Sequence, residues 1–214
     1  MIKTIIFDFD DTLYTAKDNW KDIDIYWKSV IRALVGKKEE ENFFKRHKFK
    51  SPIHSNDVIG FVRSEGYDMN KFAEIVENNF YDRGDMKVET MPNEFFEELK
   101  KKYSLYIVSM GRRKYLDYYI KKYGIKESCF KKVISVYSDN HFTIDTKTPI
   151  YQKIMEEEKN KPKEILVVGN GYSNDIKPAE ELKMQTLLFK GDFNQIFSYF
   201  TKNKILDCKK YMRS

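Results

Sequence analysis

The sequence predicts an α/β fold built on a parallel sheet, with a helical segment inserted after the first strand. Three observations lead there. Short apolar runs recur along the chain, and several are apolar at successive positions, as strands covered on both faces must be. From Leu105 onward amphipathic stretches separate those runs, and strand and helix in alternation give a parallel sheet with right-handed crossovers. Between the first and second runs the apolar period is helical, and no convincing strand is visible.

Thr4 to Phe9 (TIIFDF) opens the chain as the first strand. Trp20 to Gly36 then sets Ile23, Tyr26, Trp27, Val30, Ile31 and Leu34 at helical spacing and ends in glycine. The stretches EEENFFKRHKF, SNDVIGFVRSEG and NKFAEIVENNFY continue in the same way, the middle one entered through Ser55 and Asn56 as capping candidates. Residues 15–89 are therefore expected to form a domain of about four helices, with 1–14 and 90–214 as the α/β core. The chain resumes at Met91 and Pro92 with the helix NEFFEELKKK, followed by a second strand at Leu105 to Ser109. Arg112 to Gly124 places Tyr115, Leu116, Tyr119, Ile120 and Tyr123 on one helical face and stops at a glycine suited to a C-cap. Strands at Lys132 to Val136, Ile165 to Gly169 and Thr186 to Phe189 alternate with the helices TPIYQKIMEEE and PAEELKM, each with proline near its first turn.

Composition narrows the class. A chain of 214 residues with 41% hydrophobic content can bury a sizeable core. The net charge of +6 favours anionic partners, but the excess is spread along the chain. Its densest stretch, KRHKFK from Lys45 to Lys50, reads as a solvated helix face, so neither nucleic acid nor membrane is an expected partner. Cys129 and Cys208 have no metal-ligand or disulfide-framework spacing, which fits a reducing, cytoplasmic setting. The first apolar run meets Asp8 too early for a signal peptide, and no run approaches the roughly 18 apolar residues of a membrane span. The 15% aromatic content suits core packing, though Trp20 with Tyr26 offers a base-stacking alternative. His47, His54 and His141 lack metal-ligand spacing and receive no chemical role.

The first strand ends in Asp8, Asp10 and Asp11. Side chains alternate along a strand, so Asp8 and Asp10 are expected on one side of the sheet. A turn-capping role accounts for one aspartate, but two like charges side by side need a cation or a shared proton. In open α/β sheets the carboxyl ends of the strands are where ligands bind.

The segment DFDDTLY resembles the DxDx[TV] signature of the haloacid dehalogenase (HAD) superfamily of phosphohydrolases. Three further segments resemble that family's other motifs in order. They are IVSMG with Ser109, DTKTPIYQKIM with Lys147 ahead of a proline-started helix, and VVGNGYSNDIKPA where the family usually has GDxxxxD. The resemblance covers the whole chain. It implies a HAD-like Rossmannoid three-layer fold, strand order 3-2-1-4-5, with the insertion at the site of the family's helical C1 cap.

It also implies roles. Asp8 would be the nucleophile that forms an aspartyl-phosphate, and Asp10 the acid and then base. Ser109, with the amides of Met110 and Gly111 at a helix start, and Lys147 would hold the phosphoryl oxygens. Mg²⁺ would be bound by Asp8, the carbonyl of Asp10, Asn170 and Asp175. Asn170 replaces the family's usual aspartate, so weaker metal binding is expected, and a non-catalytic phospholigand-binding protein is the competing reading. Phosphotransferase or phosphomutase activity shares the same signature, whereas dehalogenation would leave the acid Asp10 without a task. A capped site favours a small phosphorylated metabolite as substrate, with Lys17, Trp20, Lys21, Arg112 and Arg113 as candidate contacts. Oligomeric state is open.

Overall fold

Thr4–Phe7 form β1, buried at all four positions because it has a strand on either side and a helical layer on either face. The remaining core strands are β4 (Ser104–Ser109), β5 (Lys132–Ser135), β6 (Ile165–Gly169) and β7 (Gln185–Leu188). They pair in parallel in the order β5-β4-β1-β6-β7. Counted among core strands alone this is 3-2-1-4-5. The computed structural model describes residues 1–16, 20–50, 53, 55–78, 88–139 and 146–212.

Alternation along β1 sorts its side chains between two layers. Ile5 and Phe7 join a core with Leu105, Ile107, Leu166 and Val168, covered by α5 (Asn93–Leu99), α6 (Arg113–Lys122) and α10 (Phe193–Lys202). Ile6 joins Tyr106, Val108 and Val167 on the opposite face, under α8 (Thr148–Glu157) and α9 (Lys177–Glu181). A four-residue helical turn, α7 (Val136–Asp139), follows β5. Helix α6 ends as expected at Gly124, whose φ of +64° allows Ile125 N–H to reach back to the carbonyl of Ile120 at 2.9 Å. The aromatic residues serve this interior: the Phe96 ring lies 5.6 Å from that of Phe7 and 5.0 Å from that of Phe130.

Two expectations need correction. The first strand ends at Phe7 rather than Phe9, because the chain turns immediately afterwards. The stretch read as strandless also contributes to a short antiparallel ribbon, β2 (Tyr14–Ala16) with β3 (Val88–Thr90). Three residues display no readable period, and the two segments lie far apart in the chain, so only their pairing reveals them.

The chain divides into two compact units, Met1–Ala16 with Val88–Ser214, and Lys17–Lys87. The second contains α1 (Trp20–Val35), α2 (Lys37–His47), α3 (Ser55–Ser64) and α4 (Met69–Asn78). Its interior gathers Trp27, Val30, Ile31, Phe43, Val62 and Phe72. Tyr26 packs on Trp27 and donates to the carbonyl of Val76 on α4 at 3.4 Å, so it serves this packing. The basic stretch around Arg46 is internally neutralised: Arg46 pairs with Glu39 and Glu65 at 2.5 and 2.9 Å, and His47 meets Glu65 at 2.5 Å while lying against Phe61. His54 and His141 lie outside the described residues. Cys129 and Cys208 are buried free thiols. Among the described residues no helix is long and apolar enough to cross a membrane.

Phe96→Ala removes a fully buried ring from between sheet and helices. The expected cost is about 3–5 kcal/mol, read as a lower urea midpoint at unchanged denaturant slope.

Candidate active site

Parallel strands bring their carboxyl ends to one edge of the sheet, and the motif segments arrive there from separate elements. Asp8 follows β1 directly, its N–H donating to the carbonyl of Val168 on β6 at 2.9 Å. Beyond it the chain reverses: Thr12 and Leu13 N–H both return to the carbonyl of Phe9, and Asp11 adopts a left-handed φ of 51°. Aspartate tolerates that conformation better than most residues.

Lys147, the residue before α8, is 1% exposed although it carries a charge. An ammonium has three N–H bonds, and here all three find acceptors. They reach Asp8 Oδ1 at 2.7 Å, Asp175 Oδ1 at 2.6 Å and the carbonyl of Val108 on β4 at 2.7 Å. Asp8 Oδ2 accepts the hydroxyl of Thr12 at 3.1 Å. Asp175 stands on a π-helical turn, Tyr172–Ile176, between β6 and α9, with Oδ2 taking the N–H of Gly171 at 2.7 Å. Its approach to β6 requires glycine at 169, where a Cβ would come within 2.5 Å of the Asp175 side chain.

Ser109 ends β4, buried, and its hydroxyl oxygen accepts the N–H of Gly111 at 2.9 Å. Ser135 holds the carbonyl of Gly111 at 2.6 Å. Met110 and Gly111 were expected at a helix start, but α6 begins only at Arg113 with Arg112 as its N-cap, so both precede the helix. The dipole argument for their amides is correspondingly weaker.

Asp10 departs from the sequence reading. It lies beyond the end of β1, so strand alternation does not govern it, and its partners differ from those of Asp8. Oδ1 accepts the hydroxyl of Tyr14 and that of Tyr115, each at 2.6 Å. Both tyrosines pack with the layer opposite to the one under α8 and α9. Its charge still reaches Asp8 and adds to the raised pKa there.

The remaining candidates scatter. Asn170 is exposed immediately after β6. Arg112 is buried beside the Ser109 turn, and Arg113 pairs with Asp117 and Glu127 on the surface. Lys17 lies outside the described residues, and Trp20 and Lys21 belong to the helical unit, with side chains that are not described.

The haloacid dehalogenase-like hydrolase family matches the sequence over residues 2–183. The chain belongs to that family. No curated protein matches it. Solved structures share the fold at low identity. A HAD family enzyme of Bacteroides thetaiotaomicron, in complex with magnesium and inorganic phosphate, superposes with a TM-score of 0.55 at 19% identity, covering 92% of this chain and 100% of that one. A HAD phosphatase of Thermococcus onnurineus gives 0.53 at 20%, covering 89% and 88%. A predicted phosphoglycolate phosphatase of Haemophilus somnus gives 0.53 at 18%, covering 87% and 84%.

A HAD-like hydrolase implies a divalent cation, and the donor chemistry here fits one. Among the described residues no group of three or more His, Cys, Asp or Glu side chains forms a metal cluster. Asp8 and Asp175, which meet on the Lys147 ammonium, offer carboxylate oxygens of the kind a hard ion takes. Charge agrees. Burial, followed by the negative charge of Asp175, pushes the Asp8 carboxyl up from 3.8 to about 7, and Lys147 offsets this only in part. Burial also opposes the charge of Lys147, but Asp175 and Asp8 outweigh it and hold the ammonium above the usual lysine range. One ammonium against two buried carboxylates leaves an excess negative charge for a cation to balance.

Thr12 reads in the sequence only as a turn residue within the DxDx[TV] segment, and Tyr14 and Ser135 carry no chemical signal there. Tyr115 reads as part of an apolar helix face, which is correct for its ring, and the polar end of a packed tyrosine is the available signal.

A carboxyl raised in the folded state is more protonated there than in the unfolded chain between about pH 4 and 7, so stability falls as pH rises through that window. In chelator, the unfolding free energy should fall between pH 4 and 7.5 for the wild type by on the order of 4 kcal/mol at most more than for Asp8→Asn, which cannot titrate there. Equal declines in the two proteins would remove Asp8 as the cause. Gly169→Ala should cost about 1–3 kcal/mol through displacement of Asp175, measured by thermal unfolding.

Proposed function

We propose that this HAD-like hydrolase is a Mg²⁺-dependent phosphatase of small phosphomonoesters, working through an aspartyl-phosphate on Asp8. The observation that carries the proposal is the buried array of Asp8, Lys147 and Asp175, a carboxylate held beside a fixed cation at the carboxyl edge of the sheet. Phosphoryl transfer needs an aligned nucleophile and neutralised equatorial oxygens more than elaborate covalent machinery. The magnesium and phosphate of the Bacteroides enzyme, and a fold shared with a HAD phosphatase and a predicted phosphoglycolate phosphatase, lend support.

In this mechanism Lys147 and Thr12 fix both oxygens of Asp8, so its carboxylate attacks phosphorus without first being oriented. The ester P–O bond breaks as the bond to Asp8 forms, and Asp10 gives a proton to the departing oxygen. Water then attacks the phosphorus of the aspartyl-phosphate and surrenders a proton to Asp10, releasing phosphate and restoring Asp8. Ser109, at the end of β4, and the Lys147 ammonium stabilise the phosphoryl oxygens. Asp8, Asp175, Asn170 and the carbonyl of Asp10 would hold Mg²⁺, which when bound would further neutralise charge on the phosphoryl group.

The proposal is tested by phosphate release from a panel of phosphorylated sugars, nucleotides and small organic phosphates with Mg²⁺. Asp8→Asn should lose turnover by at least about 10³-fold, and retained turnover would remove Asp8 as nucleophile. Silence across the panel at high Mg²⁺ would favour the binding-protein alternative that Asn170 raises. Asn170→Asp adds a charged oxygen donor, so half of the Mg²⁺-induced rise in thermal midpoint should come at about tenfold lower Mg²⁺. An unchanged titration would exclude Asn170 as a ligand.

A further inference from the structure

We infer that Tyr14 and Tyr115 are positioning residues for Asp10, locking its carboxylate so that Oδ2 is the oxygen that exchanges the proton; this rests on the phosphatase reading above. Two phenols donate to the same atom, Oδ1, each at 2.6 Å, while their own oxygens stand 3.4 Å apart. An oxygen that accepts two O–H bonds remains an acceptor whether or not the acid is protonated. The proton carried by Asp10 therefore sits on Oδ2. That oxygen faces the Ser109 turn: a Cβ built on Gly111 would stand 3.0 Å from Ser109 Oγ and 3.6 Å from Asp10 Oδ2.

Both donors are anchored. Tyr14 is fully buried, its ring 5.3 Å from Phe9 and 4.6 Å from Tyr123. Tyr115 is carried on α6, its ring 4.7 Å from Tyr119. A carboxylate beyond the end of a strand, in a turn, has a side-chain torsion that backbone pairing does not fix. Two hydroxyls arriving from β2 and α6 supply that constraint, and orientation is worth most where proton transfer accompanies bond breaking. In the first half-reaction the Oδ2 proton passes to the ester oxygen as its bond to phosphorus breaks. In the second, a proton from the attacking water returns to Oδ2 as the bond from phosphorus to Asp8 breaks.

The bland alternative is that two tyrosines near a carboxylate simply satisfy their hydroxyls. The two accounts part on leaving groups. A nitrophenolate departs without a proton, whereas an alkoxide needs one. Tyr14→Phe, Tyr115→Phe and the double variant keep both rings and remove only the hydroxyls. The measurement is kcat/KM for 4-nitrophenyl phosphate and for a primary alkyl phosphate, since kcat/KM reports the step that forms the aspartyl-phosphate. The expected result is that the ratio of alkyl to aryl kcat/KM falls at least about tenfold in the double variant, with smaller falls in the single ones. Equal losses on both esters, or no loss on either, would overturn the inference while leaving the phosphatase reading intact. A wild-type protein silent towards both esters and across the whole panel would overturn that reading and this inference with it. Should Tyr14→Phe not fold, Tyr115→Phe, altered at a half-buried position, carries the same comparison by itself.

Discussion

Lys147 is the constraint on which the rest of the site depends. Its ammonium is buried almost completely and bonds to Asp8 after β1, to the carbonyl of Val108 on β4 and to Asp175 after β6. Three neighbouring strands of the sheet are thus tied at their carboxyl ends by one side chain. Removing such a charge would leave two carboxylates facing each other in low dielectric, which is far more costly than never having buried the group. Every contact in the array constrains the next: Asp175 reaches Lys147 only because Gly169 leaves it room, and Gly171 then fixes its other oxygen.

The same array shows how one sheet edge makes two carboxylates behave differently. Asp8 sits in a buried, charged environment with a lysine, a threonine and a second aspartate around it. Asp10, two residues later, turns to a pair of tyrosines on the other layer. The first carboxylate is fixed by a charged partner and the second by two hydroxyls, so the two differ in surroundings though they stand two residues apart. The turn that produces this separation is local. It uses the left-handed Asp11 and the carbonyl of Phe9, which accepts two amides.

Much of this was legible in the chain. Consecutive buried runs at Ile5–Phe7 and Ile165–Gly169 read as doubly covered strands because nothing in them is polar enough to face water. Gly124 read as a helix stop because few other residues take its φ. Asp8, Ser109, Lys147 and Asp175 stood out through residue type and order, and the fold brings Asp8, Lys147 and Asp175 into direct contact, with Ser109 following the Val108 carbonyl that Lys147 also holds. Illegible were the elements whose signal is shorter than one period, such as the Tyr14–Ala16 ribbon, and the contacts between segments that share no local pattern.

By itself, the sequence determined the α/β class, the helical insertion, the family and the motif residues Asp8, Lys147 and Asp175 that meet in the fold. Those depend on hydrophobic period, capping and residue type, which act over a few positions along the chain. Tertiary structure alone decided that Asp8 and Asp10 part company, that the Gly111 amide turns to Ser109, and that tyrosines from β2 and α6 meet on one carboxylate oxygen. Each joins groups whose proximity is set by how a helix packs on the sheet or how a turn leaves a strand, and such distances have no representation in the order of residues.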